Sequence, residues 1–517
     1  MYTFSSKLKT FSFILMILGV LGIGYGFFTT PKNTQAVEAI LAASHGEHGE
    51  ASSSHNAKPS HDDAKAAHGH VAHEEKAIPS DTSHSEITHT QPKTQDSASA
   101  NIHNLDTIAK DVESNHVVST TAVAEKHETK LDHQAATHDA HAEHKEHVEH
   151  VFHQLTNKPW AALYVAALFF MLISLGVLTF YAIQHAAQAG WSPVLFRVME
   201  ALTSYLVPGA IIVFVLLVLS TISIDGHQLN HLFVWSDANV VKHDALIQGK
   251  SGYLNVPFFL IRAVIFMGGW IAYRHFTRKN ALLLDETHDV AYYKKNFKLS
   301  AGYLAFFLVS ESMMSWDWIM SVDPHWYSTL FGWYVFASFF VSGITVIALT
   351  TLYLKSRGYL EYVNDSHFHD LAKFMFGISV FWTYLWFSQF MLMWYANIPE
   401  EVTYFKFRIE HYNLPFFGMV VMNFVFPILI LINSDFKRIP WIIWMAGIVI
   451  LGGHYLDFYN MIYPATVGDQ WFIGVSEISS ILFFLGLFIF VVFTTLTKQP
   501  LLPKGNPLIE ESKHFHY

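Results

Sequence analysis

Apolar residues gather along this chain into ten runs, at about 11–28, 160–183, 201–224, 256–273, 301–321, 327–354, 371–395, 414–432, 441–462 and 471–496. Each is close to the ~20 residues that a helix needs to cross a hydrocarbon core. None alternates with period two, and backbone groups in lipid must be satisfied within their own segment, so the runs read as helices rather than barrel strands. The pattern predicts an all-α polytopic membrane protein with ten transmembrane helices. The first run follows Lys7 and Lys9. It is long for a signal peptide and no small-x-small cleavage site follows closely, so it is expected to be a retained helix.

Between the first and second runs the pattern breaks. Residues 31–155 are rich in His, Ala, Ser, Glu, Asp and Lys, and 19 of the 32 histidines lie between His45 and His153. Such a segment buries too little apolar surface to offset ordering, so most of it is expected to be disordered. Four parts follow: an N-terminal membrane helix (1–30), a His-rich insert (31–155), a nine-helix membrane domain (156–499) and a polar tail (500–517). Within the insert, His138, His141, His144 and His147 recur every third residue, as do His150 and His153. On a helix that spacing makes a drifting stripe of neighbouring imidazoles. Metal buffering by this stripe competes with a solvated linker, which the composition favours.

Charge fixes orientation. Lys7, Lys9, Arg197, Arg274, Arg278, Lys279, Lys355, Arg357, Lys437 and Arg438 fall on one set of loops; the short opposite loops hold only Lys242, Lys250, Lys406 and Arg408. By the positive-inside rule the first side is cytoplasmic, with both termini inside and the His-rich insert outside. The net charge of -10 arises largely in loops and insert and carries no nucleic-acid signature. Cysteine is absent, which leaves no ligands here for a thiolate-held iron–sulfur cluster or for c-type haem attachment.

The run 301–321 holds Glu311 and Asp317. Each mid-membrane carboxylate costs roughly 2.5–3.5 kcal/mol on insertion scales, so such residues mark proton relays, counter-ions or ligand contacts. At ~1.5 Å per residue, Glu311 lies near the middle of the membrane and Asp317 in its outer half, with Asp323 and His325 at the outer mouth. His454 and Asp457, three apart on one face, and Glu477 on the last helix fall at a similar outer depth, as does Arg262, which reads as a counter-ion for one carboxylate. The loop 396–413 adds Glu400, Glu401, Arg408 and His411. The expectation is one outer-half polar cluster. In the inner half Glu200 is expected at the interface, and a proton wire would need Ser310, Ser312, Tyr303, Ser388 and Tyr384 as bridges. His454 is the only histidine well inside an apolar run, so a haem held between facing histidines is not expected.

Two runs carry a resemblance: Ser310-Glu-Ser-Met-Met-Ser-Trp-Asp-Trp-Ile-Met-Ser-Val-Asp-Pro-His-Trp-Tyr-Ser-Thr-Leu-Phe-Gly-Trp-Tyr334, and Ser388-Gln-Phe-Met-Leu-Met-Trp-Tyr-Ala-Asn-Ile-Pro-Glu-Glu401. Together they resemble the ActF-type membrane subunit of bacterial alternative complex III, a relative of the NrfD-like polysulfide-reductase membrane subunits. The resemblance spans roughly 160–496 and leaves the His-rich insert outside. It implies two four-helix bundles plus two peripheral helices in the bacterial inner membrane. It also implies partners: an iron–sulfur/molybdopterin-like subunit, a multihaem cytochrome c, a sister membrane subunit that binds quinol, and a terminal oxidase as one electron acceptor. Haem and iron–sulfur clusters would belong to those partners, and menaquinol or another quinol would be oxidised by the complex. In this setting Glu311, Asp317, Asp323, His325, His454, Asp457, Glu477 and Arg262 are the candidates for relaying protons or lining a quinol site. A secondary transporter and a purely structural scaffold are the competing readings. Transporter sites sit at broken helices near the midplane, and acids gathered toward one face count against that reading.

Overall fold

The computed structural model describes residues 2–39, 41, 128–224 and 227–516. The chain divides into two units, Met1–Ile40 with Lys145–Tyr517, and Leu41–His144. Most of the His-rich insert, and the side chains of His138, His141 and His144, lie outside the described residues.

The fold is all-α apart from a ribbon of two-residue strands, β1 (Ser223–Ile224) and β2 (His227–Gln228). The long helices are α1 (Ser6–Thr29), α2 (Glu128–Ala186), α3 (Pro193–Leu219), α4 (Val256–Thr287), α5 (Val290–Trp318), α6 (Phe331–Ser356), α7 (Asp365–Ala396), α9 (Asn413–Leu431), α10 (Pro440–Val467) and α11 (Val475–Leu496), with the shorter α8 (Pro399–His411) before α9. Among the described residues nine helices are long and apolar enough to cross a membrane, α2 counting from His147. The run predicted at 301–321 is α5, which does not reach that apolarity because its buried face is polar.

Burial divides the helices. The apolar stretches of α2 and α6 are buried over almost their whole length, whereas α1, α7, α9 and α11 bury a third or less of theirs. A helix that is apolar all round belongs inside, and α6 is such a helix, with buried residues on every face from Phe331 to Leu354. Exposed faces elsewhere are equally apolar, for example Ile261 and Val264 on α4, Leu308 and Val309 on α5, and Leu429 on α9. An apolar exterior around a partly polar interior is the arrangement that lipid selects.

Three elements differ from expectation. First, α4 and α5 outrun their apolar stretches: at ~1.5 Å per residue α4 alone is roughly 48 Å long, against a core of about 30 Å. Their far ends form a hairpin turned at His288, which takes the left-handed conformation with φ 54°. Second, the segment 396–413 is not a loop but holds the amphipathic α8, entered through Pro399 and burying Tyr404, Phe405 and Arg408. Glu400 and His411 face outward. Third, the tail folds back onto the basic end of the bundle. Ser512 donates to the Trp191 carbonyl at 2.6 Å and accepts from the Val194 N–H at 3.1 Å, the Gly505 N–H donates to Asp285 at 2.9 Å, and Asn364 donates to the Phe515 carbonyl at 2.7 Å.

The first helix is fixed by small residues. Against α11, a Cβ on Gly22 would stand 1.8 Å from Ser479 Oγ, and one on Gly26 would stand 2.2 Å from Ser476 Oγ and 3.2 Å from its Cβ. Close backbone approach over small residues is how membrane helices associate where no hydrophobic force acts between them. With Gly26→Cys and Ser476→Cys introduced into this cysteine-free chain, mild oxidation is expected to close a disulfide, since bonded Cβ atoms lie ~3.5–4.5 Å apart. A non-reducing gel reads it. A chain that had lost residues 1–30 would give no cross-link.

Candidate functional site

α5 carries the polar interior. Its buried residues include Asn296, Ser300, Tyr303, Ser310, Glu311, Ser315 and Asp317, with Phe307 between Tyr303 and Ser310, while from Ala301 onward its exposed face is largely apolar. Each polar side chain finds a partner. Asn296 donates to the Thr277 carbonyl at 3.1 Å and accepts from Asn280 at 3.0 Å. Tyr273 and Ser300 hydroxyls meet at 2.7 Å, and Tyr273 stacks on Tyr303, centroids 4.0 Å apart. Tyr303 reaches Thr179 Oγ1 at 3.3 Å. Trp270 Nε1 donates to Ser310 at 3.0 Å. Ser315 donates to Glu311 Oε1 at 3.0 Å, and Ser312 approaches Oε2 at 3.5 Å. No cation is paired with Glu311 among the described residues.

Asp317 is different. Arg262 Nε donates to its Oδ2 at 2.6 Å and Nη2 to its Oδ1 at 2.9 Å, a two-pronged pair with both side chains buried. The guanidinium carbon lies 4.0 Å from the centroid of the Tyr253 ring and 4.2 Å from that of Phe258, two rings set nearly perpendicular to each other, and Nη1 donates to the Tyr253 carbonyl at 3.2 Å. Planar charge on aromatic faces with a forked carboxylate is the geometry that arginine, not lysine, satisfies. The counter-ion role expected of Arg262 is the one it plays.

Below Asp317 and Glu311, at the basic end of the bundle, lies a group that sequence reasoning misplaced. Glu200 is buried, not interfacial. It accepts from Arg197 at 2.5 Å and from the Tyr181 hydroxyl at 3.1 Å, and Arg197 also pairs with Asp285 at 2.5 Å. The cause is the length of α4, which carries Asp285 over the start of α3 and covers the acid. The bridging groups Ser388 and Tyr384 fare otherwise: Tyr384 is 65% exposed on the outer face of α7 and joins no polar track.

The remaining candidates form separate groups, so the expected single cluster divides. Asp457, fully buried, accepts from the Tyr334 hydroxyl and from Trp382 Nε1, the latter at 2.7 Å. His454 lies one turn earlier, its Nδ1 3.0 Å from Ser338 Oγ and 3.8 Å from Asp457 Oδ2, and its Nε2 has no partner among the described residues. Nearby, α9 opens into a π turn at Val421–Val425 that places Asn423 where a Cβ on Gly453 would stand 2.1 Å from its Oδ1. Both polar atoms of Asn423 are also unpartnered among the described residues. A π turn with buried, unsatisfied polar atoms beside a membrane-buried histidine is an arrangement met at functional sites, where water or a ligand completes it.

Glu477 accepts from the Gly474 N–H at 2.8 Å and the Tyr463 hydroxyl at 3.0 Å, closing the first turn of α11. Both oxygens are engaged, which makes it a cap as well as a buried acid. His325 is half exposed and pairs with Asp244 at 2.5 Å. The Asp244 carboxyl sits below its ordinary range, first because it accepts from the Ile247 N–H and then because of His325. Asp323 is half-buried at the turn after α5, within electrostatic range of Arg408 and Tyr404. His153, at the insert's end, packs its ring 4.6 Å from that of His231. His147 is exposed, and no group of three metal-binding side chains occurs among the described residues.

Sequence reasoning counted Arg408 into the outer polar cluster as a loop residue and missed its burial on a helix. The side chain is buried on α8, stacked 3.3 Å over Tyr404, and donates to the carbonyls of Asn460 at 2.9 Å, Tyr404 at 2.8 Å and Met461 at 3.4 Å. Pro464 lies inside α10. Its missing N–H frees the carbonyl four residues earlier, Asn460, and Arg408 takes it. An interior proline in a membrane helix was the available signal.

The chain matches no family model, and no curated protein shows significant similarity to it.

Proposed function

We propose that this chain is a membrane subunit of a respiratory quinol oxidoreductase of the alternative complex III type. It supports quinol oxidation and proton transfer and has no redox cofactor of its own. The observation that carries the reading is the buried polar face of α5, which runs from Asn296 through Ser300, Tyr303, Ser310 and Glu311 to Asp317. Lipid-facing helices have no use for such a face; proton carriers need one. Glu311 is the relay, because it alone of the α5 acids lacks a paired cation among the described residues and so takes up a proton without stranding a buried cation, as protonation of Asp317 would strand Arg262. Asp317 with Arg262 forms the outer terminus of the path and Arg197–Glu200 its inner one. The group around Asp457, His454 and Asn423 is a second polar centre for quinol or its protons.

This reading places ten helices in the bacterial inner membrane as two four-helix bundles plus two peripheral ones, with both termini cytoplasmic and the His-rich insert periplasmic. The partners are a sister membrane subunit that binds quinol, an iron–sulfur/molybdopterin-like subunit, a multihaem cytochrome c and, at the end of the chain of carriers, an oxidase. The first check is composition: the detergent-purified protein should carry haem-bearing partners, and a chain that purifies alone without haem would be a transporter instead. The second is Glu311→Gln in the assembled complex, which keeps the Ser315 bond but removes the exchangeable acid. Proton release coupled to quinol oxidation should fall roughly tenfold or more with the haem spectrum unchanged. Full proton release in that variant sinks the relay.

One observation favours a structural role for part of the set. Both oxygens of Asp457 and of Glu477 are taken by donors of the fold itself, so these two acids also lock helix packing.

A further inference from the structure

A cleft of about 630 Å³ opens between α10 and α11 and is backed by α2 and α6. Its walls include Ile173, Leu349, Ile448, Leu451, Ile481 and Leu485. It opens sideways toward the apolar exterior: Ile448 is 61% exposed and Ile473 37%. The volume lies within the ~300–1,000 Å³ of built ligand pockets, and the lining offers almost nothing polar. Glu477 lines one end, but both of its oxygens are already bonded to Gly474 and Tyr463, and the Tyr459 hydroxyl is spent on the Trp471 carbonyl.

The other end differs. There the cleft is bounded by Leu8 of α1, Tyr353 of α6 and Phe493 of α11, and the rings of Tyr2, Tyr353 and Phe493 pack together, with centroids 5.9 Å (Tyr2–Phe493) and 5.3 Å (Tyr353–Phe493) apart. Around this floor stand exposed cations. Lys7 and Lys9 flank Leu8, Arg357 follows Tyr353 by one helical turn with Lys355 between them, and Lys498 follows Phe493 on the chain after α11. None of the five takes part in a salt bridge among the described residues. An apolar slot at membrane depth that ends under unpaired cations matches a molecule with a long hydrocarbon chain and an anionic head. Clustered Lys and Arg at the end of membrane helices attract acidic headgroups.

We propose that this cleft is a binding site for one anionic glycerophospholipid, an acyl chain lying between α10 and α11 and the phosphate held by Lys7, Lys9, Lys355, Arg357 and Lys498. The slot also carries the Tyr455 hydroxyl, which has no partner among the described residues, but one buried donor does not outweigh the five cations at the other end, so the acidic lipid is a better fit than a quinone ring. The site is independent of the proton path along α5.

The test uses the full protein purified in its natural assembly, delipidated in detergent and then exposed to mixed micelles of phosphatidylglycerol or phosphatidylcholine, with retained lipid quantified by mass spectrometry after washing. About one phosphatidylglycerol per chain should be retained, at least fivefold more than phosphatidylcholine. The surface variant Lys7→Gln/Arg357→Gln, which touches no packed atom, should lose most of that preference. Leu451→Trp, which fills the slot from a half-buried position, should lower retention of either lipid. Equal retention of the two lipids, an unchanged preference in the charge variant, or a stoichiometric isoprenoid quinone in place of phospholipid would each overturn the assignment. If the Leu451 variant fails to accumulate, the charge variant alone decides the matter.

Discussion

Arg262→Ala should destabilise the protein by about 3–5 kcal/mol, the cost of stranding a buried charge whose partner has been removed, and should abolish accumulation of the chain in the membrane. Asp317 has no other cation within bonding distance among the described residues, and its two oxygens are the ones that Arg262 forks. Lysine at 262 should recover little, because an ammonium cannot make the two parallel bonds to Asp317 that the guanidinium fork makes. The double variant Arg262→Leu/Asp317→Leu should behave otherwise. Removing both charges spares both desolvation costs, and such apolar replacements of buried pairs are often neutral or stabilising. The double variant is therefore expected to accumulate and assemble. Its activity separates the two roles: an assembled complex with normal quinol turnover and proton release would make the pair structural only, whereas lost proton release on an intact haem spectrum would make it the outer terminus of the path. Immunoblotting of membranes and a proton-release assay supply both readouts.

Much of this site was legible because charges inside an apolar run stand out. Glu311, Asp317, His454, Asp457 and Arg262 are conspicuous in sequence, and each is buried as its position implied. What sequence could not supply was lateral position. Depth follows from counting residues along a helix, but residues at one depth on different helices meet only if those helices are neighbours facing each other. Asp317 faces α4, Asp457 faces α6 and α7, and Glu477 turns back on Tyr463 of α10. One expected cluster is therefore three separate groups. The partners of Asp457 were hidden for another reason: Tyr334 and Trp382 are aromatics in apolar runs, and only the orientation of O–H and N–H reveals the bond. Helix extent failed where apolarity and helicity part company, as in α4 and α5, which continue past the membrane on charged residues, one of which, Asp285, pairs with Arg197 and accepts from the Gly505 N–H. Glu200 was misplaced for the same reason.

The second large effect is expected at Arg408, where a polar segment conceals a buried cation. Arg408→Ala removes the donor that fills the gap left by Pro464 in α10 and leaves the carbonyls of Asn460, Tyr404 and Met461 short of donors. Unsatisfied buried acceptors cost roughly 1–3 kcal/mol each when water cannot reach them, and the stacking on Tyr404 is lost as well. A total of about 2–4 kcal/mol is expected, read as a fall in melting temperature of the purified protein and as release of α8 to protease. Arg408→Lys should restore less than half, since one ammonium cannot span three carbonyls set around a planar fork. Pro464→Ala supplies the specific control. It returns an N–H to α10 that competes for the Asn460 carbonyl, so Arg408→Ala should cost about 1 kcal/mol less in that background than in the wild type, a coupling that a double-mutant cycle measures. Strict additivity of the two changes would mean that Arg408 holds α8 by packing alone and that the carbonyl freed by Pro464 is not what recruits it. A coupling of the expected sign would tie the placement of α8, and with it the packing of Tyr404 and Arg408 beside Tyr334, to a single proline inside α10.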